Sequence, residues 1–266
     1  MYHNIFDTHS HYDDSKFDPD REELLNNLQS QGVSLVVSCG CDIDSTQFNF
    51  DLAQKYNYMY FAAGFHPENL NGATLDDLKV IERFAKNDKC VAIGEIGLDY
   101  HYGKDDKEIQ KDFFEKQLDM AVRLDKPVII HSREAAKDTY DIMREHDAGK
   151  AGGVVHCFSY HKEEAAKYLD MGFYIGIGGA ATFKNNEKTR EVIAYTPLDR
   201  MLLETDCPYM APVPHRGTRN SSLNLPLVAE CIAQVKRIAY DTVVEATYEN
   251  CLLYTSPSPR DISGSR

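Results

Sequence analysis

Eight short apolar runs, each four to six residues long, recur along this chain, most of them separated by helical segments. They span 5–9, 34–39, 59–64, 90–95, 127–131, 153–156, 173–177 and 201–206. The runs are continuous rather than alternating and rich in Val and Ile. That is the pattern of parallel strands covered on both faces. Stretches of helical period lie between them at 20–31, 75–86, 110–125, 133–146, 162–171 and 225–238. The first carries Leu24, Leu25 and Leu28 on one face and stops at Gly32. Strands alternating with helices indicate a parallel α/β fold. Eight strands close a barrel, and 266 residues match the roughly 250 that such a barrel takes. A doubly wound open sheet shares the alternation, but no G-x-G-x-x-G follows the first run. The expectation is a single (β/α)8 TIM-barrel domain over residues 1–250. Residues 251–266 change character, becoming rich in Ser, Pro and Arg, and are expected to be a disordered or non-native tail.

The ends of these runs carry the chemistry. The first leads into His9-Ser10-His11; others end in Glu95, His131, His156 and Asp206. In a βα barrel those ends open on one face, where active sites sit. Five strands would then deliver four imidazoles and two carboxylates to one rim. His9 and His11, two apart on extended chain, point the same way. A lone H-x-H is weak evidence, and one strand histidine is usually a packed core residue. The whole set at five strand ends is not explained that way. Six such donors suffice for two divalent ions if a carboxylate bridges, and Glu95 is the natural bridge. The expected assignment is His9, His11, Glu95 and Asp206 on one ion, and Glu95, His131 and His156 on the other. Glu95 and Asp206 are the expected catalytic carboxylates, with Asp206 taking the proton of the attacking water. The donor types fit Mg2+, Mn2+ or Zn2+.

Substrate contacts are expected from His66, Asp99, Arg133, Arg216 and Arg219. His66 ends the third run and could equally serve a loop hydrogen bond. Asp99 could orient a ligand histidine, and Arg133 follows His131 by two. Arg216 and Arg219 have the chemistry to hold phosphate oxygens. Tyr100, Tyr102 and Tyr160 fall in rim loops where a base could stack. His3, His101, His146 and His161 lack such a context. Cys39-x-Cys41 has no second pair at zinc spacing and reads as structural.

Formal charge is −13, so the broad basic footprint of a nucleic-acid-coating protein is absent. An enzyme that grips phosphate through bound cations escapes that objection. No apolar run reaches about 18 residues, so no membrane span is expected. The seven cysteines read as free thiols in a reducing compartment, and a cytoplasmic location is the expectation.

Several motifs carry a family resemblance: Asp7-Thr8-His9-Ser10-His11, Gly64-Phe65-His66-Pro67, Gly94-Glu95-Ile96-Gly97-Leu98-Asp99-Tyr100, Pro127-Val128-Ile129-Ile130-His131-Ser132-Arg133, His156-Cys157-Phe158-Ser159, Leu203-Glu204-Thr205-Asp206-Cys207-Pro208-Tyr209 and Arg216-Gly217-Thr218-Arg219-Asn220. With them the chain resembles the TatD family of metal-dependent deoxyribonucleases, within the amidohydrolase-like barrels, from Asp7 to about Asn250. The resemblance implies a TIM barrel, divalent metal dependence and hydrolysis of phosphodiester bonds in DNA. By position, His9, His11, Glu95, His131, His156 and Asp206 match the family's ligands. After Asn220 the chain has Ser221-Ser222, where the family often has Glu-Pro. The implied activity is that of a 3′-5′ exonuclease acting, as a monomer, on single-stranded or damaged DNA ends. The alternative on the same barrel is a hydrolase of a small amide, lactone or phosphoester.

Overall fold

The computed structural model describes residues 4–102 and 106–254. The chain alternates β1 (Ile5–Ser10), α1 (Arg21–Leu28), β2 (Val33–Cys39), α2 (Ile43–Lys55), β3 (Met59–Ala63), α3 (Leu78–Ala85), β4 (Cys90–Asp99) and α4 (Lys107–Leu124). It continues with β5 (Val128–Arg133), α5 (Ala136–Glu145), β6 (Gly153–Val155), α6 (Lys162–Asp170), β7 (Tyr174–Ile177), α7 (Glu187–Tyr195), β8 (Met201–Leu203), α8 (Leu225–Lys236) and α9 (Tyr240–Asn250). All eight strands are parallel and pair in chain order. A parallel bridge from Ser10 to Cys207 brings β1 and the end of β8 together. His11 N–H donates to the Cys207 carbonyl at 2.8 Å, and Asp206 N–H to the His9 carbonyl at 3.0 Å. The result is the expected (β/α)8 barrel.

Two layers of apolar packing follow from the strands being covered on both sides. One cluster lies between strands and helices and includes Ile93, Ile130, Val155, Ile175 and Leu203 with Phe113, Leu118 and Ile232. A second gathers Phe6, Val37, Ala62, Ile129, Val154 and Leu202 from six strands. Those side chains face inward and fill the barrel's lumen. In β5 and β6 the inward row continues two residues on, from Ile129 to His131 and from Val154 to His156, as strand periodicity requires. The lower lumen is therefore apolar and its upper layer is polar.

Three features depart from the expected layout. Glu95 does not end its strand: β4 runs on through the buried Ile96 and Leu98 to Asp99, with a register irregularity between Ile93 and Ile96. β5 likewise continues past His131 to Arg133. The barrel also extends past Asn250. A turn of 3-10 helix over Cys251–Tyr254 packs the buried Cys251 and Tyr254 against Phe6, with the Tyr254 and Phe6 rings 6.4 Å apart. The remainder of the expected tail, from Thr255, lies outside the described residues.

Candidate metal centre

The six expected donors converge at the C-terminal mouth of the barrel. His9 Nε2 and His11 Nε2 lie 3.0 Å apart. Glu95 Oε2 is 3.2 Å from the first and 3.5 Å from the second. Its other oxygen, Oε1, is 2.8 Å from His131 Nδ1 and 2.9 Å from His156 Nε2. Asp206 Oδ1 stands 3.5 Å from His11 Nε2 and 3.7 Å from His9 Nε2. Glu95 thus faces both groups of imidazoles with one oxygen each, the geometry a bridging carboxylate needs. Among the described residues, the groupings close enough to share an ion all contain His9, His11 or Glu95, so they form one continuous centre.

Why the inward row changes parity on β1 is visible in its pairing. Phe6 points inward, and so do His9 and His11. A register irregularity between Asp7 and Ser10 switches the face between them. On β4, Gly97 carries φ +144°, and a Cβ there would fall on the His131 carbonyl oxygen. Glycine lets β4 and β5 lie close where Glu95 meets His131. At the ends of β6 and β8, Cys157 and Asp206 have left-handed backbones, φ 43° and 57°. Such non-glycine conformations cost of order 1 kcal/mol or more and persist where neighbours hold them.

Each inward imidazole has its second ring nitrogen backed by a polar group. His9 Nδ1 lies 3.5 Å from the Cys39 sulfur. His11 Nδ1 reaches the Cys39 carbonyl at 3.2 Å, with the Cys41 sulfur at 3.7 Å. His131 Nε2 bonds Asp99 Oδ2 at 2.9 Å. His156 Nδ1 has Glu204 Oε1 at 3.6 Å. The hydrogen bond to Asp99 fixes which nitrogen His131 presents and raises its basicity, whereas Glu204 stands beyond hydrogen-bond reach of His156 and acts on it through its charge. His131 is pushed up to about 8: its burial opposes the shift, and its bonds to Asp99 and Glu95 outweigh that. Burial also works against ionisation of Glu95. The rings of His156, His66 and His9 overcome it and hold the carboxyl well below its usual range. Without a cation the carboxylates favour protonated imidazoles here; a divalent ion would take the place of those protons, and four imidazoles around two ionised carboxylates are a donor set that fits such ions.

The structure supplies two contributors that sequence reasoning passed over. Asp7 is fully buried and accepts from Thr205 Oγ1 at 2.7 Å, Ser222 Oγ at 2.6 Å, Thr205 N–H at 3.1 Å and His9 N–H at 3.3 Å. It ties the strand bearing His9 to the segment bearing Asp206. Ser222 is part of that knot; Asn220 donates to the Thr205 carbonyl at 3.0 Å. Glu204, also fully buried, accepts from Cys157 N–H and stands behind His156. Charged residues inside apolar runs were the available signal for both. The Cys39-x-Cys41 pair, expected to be structural, sits directly behind His9 and His11.

Of the expected substrate contacts, the structure brings three to the centre. His66, Asp99 and Arg133 all line a cavity of about 610 Å3 over the donors. His66 Nδ1 accepts from the Glu68 N–H at 3.1 Å, so a neutral ring carries its proton on Nε2, 3.5 Å from Glu95 Oε1. It offers a donor to the cavity and no lone pair for a cation. Both readings of His66, loop cap and site residue, hold at once. Arg216 and Arg219 do not line this cavity. The Arg219 guanidinium is paired twice to Asp20, at 2.6 Å each, over the Phe17 ring. Arg216 lies 4.4 Å over the Phe183 ring. Tyr102 lines the cavity, whereas the hydroxyls of Tyr100 and Tyr160 are bonded to Asp138 and Ser132. His101 and His146 pair with Glu134 and Asp119; His161 precedes α6, and His3 lies outside the described residues. All seven cysteines are free.

Comparison with known proteins agrees with this geometry. The model of TatD related DNases matches residues 6–254. The uncharacterized metal-dependent hydrolase YabD of Bacillus subtilis is 39% identical over 246 residues, 92% of this chain and 96% of that protein. YcfH of Escherichia coli K12, also an uncharacterized metal-dependent hydrolase, is 36% identical over 249 residues, 92% and 93% of the two chains. The crystal structure of YjjV, a TatD homologue from Escherichia coli K12, superposes with a TM-score of 0.90 at 32% identity, covering 97% of this chain and all of that one. With the barrel, the converging donors and matches of this length, the chain belongs to the TatD family of metal-dependent hydrolases.

Proposed function

We propose that this hydrolase cleaves phosphodiester bonds in DNA, acting as a monomer on single-stranded or damaged ends, with two divalent ions, Mg2+, Mn2+ or Zn2+, at the Glu95 centre. The observation that carries the reading is Glu95 facing two groups of imidazoles with separate carboxylate oxygens. Two cations in such an arrangement stabilise the attacking and leaving oxygens of a phosphoryl transfer and bring water within reach of deprotonation near neutral pH.

The chain's own groups supply the rest. Asp206 is the more open carboxylate, its side chain 21% exposed against 3% for Glu95, so it takes the proton of the attacking water on its carboxylate. His66 donates its Nε2–H to a phosphate oxygen. Arg133, exposed at the cavity rim beside Tyr102, pairs with a second oxygen of the same phosphate. Asp99 keeps His131 in orientation, and Glu204 acts on His156 through its charge. One side of the mouth is walled by Asp13, Asp14, Asp42 and Glu68. A polyanion is repelled there, which supports cleavage at a strand end over cleavage within a long strand. The free thiols fit a cytoplasmic setting.

The same acidic wall favours a second reading, hydrolysis of a small neutral amide or lactone, or of a small phosphoester. End-labelled single-stranded DNA separates the two. The nuclease reading expects mononucleotides to be released with Mg2+ or Mn2+ and none with chelator. Intact DNA after incubation with folded, metal-loaded protein that hydrolyses a small ester would give the second reading its place.

A further inference from the structure

Beside the metal centre lies a second cavity, of about 230 Å3, between the loops that follow β6 and β7. Phe158, Ile177, Ala180, Phe183, Lys188 and Met210 are among its walls. Met210 lines both cavities, and His156 of the first is followed by Cys157 of the second. They therefore adjoin on the active face of the barrel. Pockets for drug-sized ligands run to about 300–1,000 Å3. A smaller hollow walled by aromatic, Ala, Ile and Met side chains suits a single flat ring system.

Its charge is opposite to that of the far wall. Lys188 is half-buried in the cavity lining. The Arg216 guanidinium stands over the ring of Phe183, another lining residue. Among the described residues neither cation has a carboxylate within ion-pair distance. Two unneutralised cations beside an apolar hollow, in a chain of net charge −13, call for a ligand with a flat apolar part and an attached anion. A nucleotide has both, and the distribution is the stacking surface with an electrostatic groove that single-strand binders use.

We propose that this cavity holds the base of the nucleotide adjoining the scissile bond, with Lys188 and Arg216 on phosphate oxygens of the same strand. The proposal rests on the nuclease reading above and adds a direction to it. The strand enters over the β6–β7 side and stops at the acidic wall.

The test uses the full chain, wild type, Ala180→Phe to fill the cavity and Lys188→Gln to remove its cation, with thermal unfolding as the check on folding. Deoxyadenosine 5′-monophosphate and 2-deoxyribose 5-phosphate serve as probes in calorimetry and saturation-transfer NMR. The wild type is expected to bind the nucleotide better than the sugar phosphate and to saturate its base protons. Ala180→Phe should lose roughly 5- to 150-fold in nucleotide affinity and leave sugar-phosphate binding unchanged. Lys188→Gln, which keeps the cavity, should weaken both probes a few-fold. On single-stranded DNA, Ala180→Phe should raise KM with kcat kept. Cleavage of DNA with an unchanged KM in Ala180→Phe overturns the base site and leaves the nuclease reading standing. If the wild type cleaves no DNA, the nuclease reading falls and the probes still decide the cavity. Equal binding of nucleotide and sugar phosphate then removes it as a base site.

Discussion

The two halves of the metal centre are built differently. His9, His11 and Asp206 sit where β1 meets the end of β8, and that junction is fastened by backbone bonds and by the buried knot of Asp7, Thr205 and Ser222. His131 sits on β5 and His156 just past the end of β6, and each has one carboxylate behind it, Asp99 or Glu204. The first half is positioned by barrel closure, the second by single charged contacts to the rings. Glu95 faces both with a separate oxygen each, and the His9 and His156 rings stack across the divide with centroids 3.8 Å apart. Where geometry comes from closure, a lost polar contact is expected to cost stability first. Where it comes from a carboxylate behind a ring, the loss should appear first in metal affinity and turnover.

That contrast ranks the expected effects. Glu95→Ala removes the group common to both halves, so metal content by elemental analysis and hydrolysis should vanish together. Full metal content with lost activity would break the bridging assignment. Asp206→Asn should lower kcat by about 10²–10⁴-fold in steady-state assays, with the second half still able to hold an ion. An unaffected rate would remove Asp206 as the proton acceptor. Next come Asp99→Asn and Glu204→Gln, expected to lose 10–100-fold in metal affinity or activity by competition titration. Asp7→Asn should instead cost about 1–3 kcal/mol in denaturant unfolding, because an amide cannot accept from all the donors now facing that carboxylate. If Asp7→Asn loses metal more readily than Asp99→Asn while keeping its stability, the comparison is the wrong way round. The smallest effect belongs to Arg219→Ala. Its paired, exposed guanidinium is worth about 0.2–1 kcal/mol and activity should stay at wild type. A marked rise in KM would return Arg219 to the substrate.

Much of this was legible in the chain because of how parallel barrels bury their strands. Most of the strands are largely apolar runs, and each ligand is a polar residue interrupting, ending or closely following one. What escaped depends on partners far away in sequence. Asp7 is explained by Thr205 and Ser222, about two hundred residues on, and Glu204 by His156. Helix α2 also escaped. Its buried face includes Thr46 and Asn49, while Phe48 is turned outward, so apolar periodicity is blurred. Asn49 is buried because its amide donates to Asp13 and to the Cys39 carbonyl behind His11. The capping pair Asp42 and Ser45 was the local sign of that helix. Arg219 was placed at the substrate for a related reason. Proximity in sequence to the last strand does not say that Asp20 waits for its guanidinium.

The central claim is that side chains from five strands hold a pair of cations with Glu95 between them. Anomalous diffraction from crystals grown with Mn2+ tests it directly. Two peaks roughly 3.5–4 Å apart, one beside His9, His11 and Asp206 and the other beside His131 and His156, with Glu95 between them, are the expected result. A single peak, or peaks not in contact with Glu95, would contradict it.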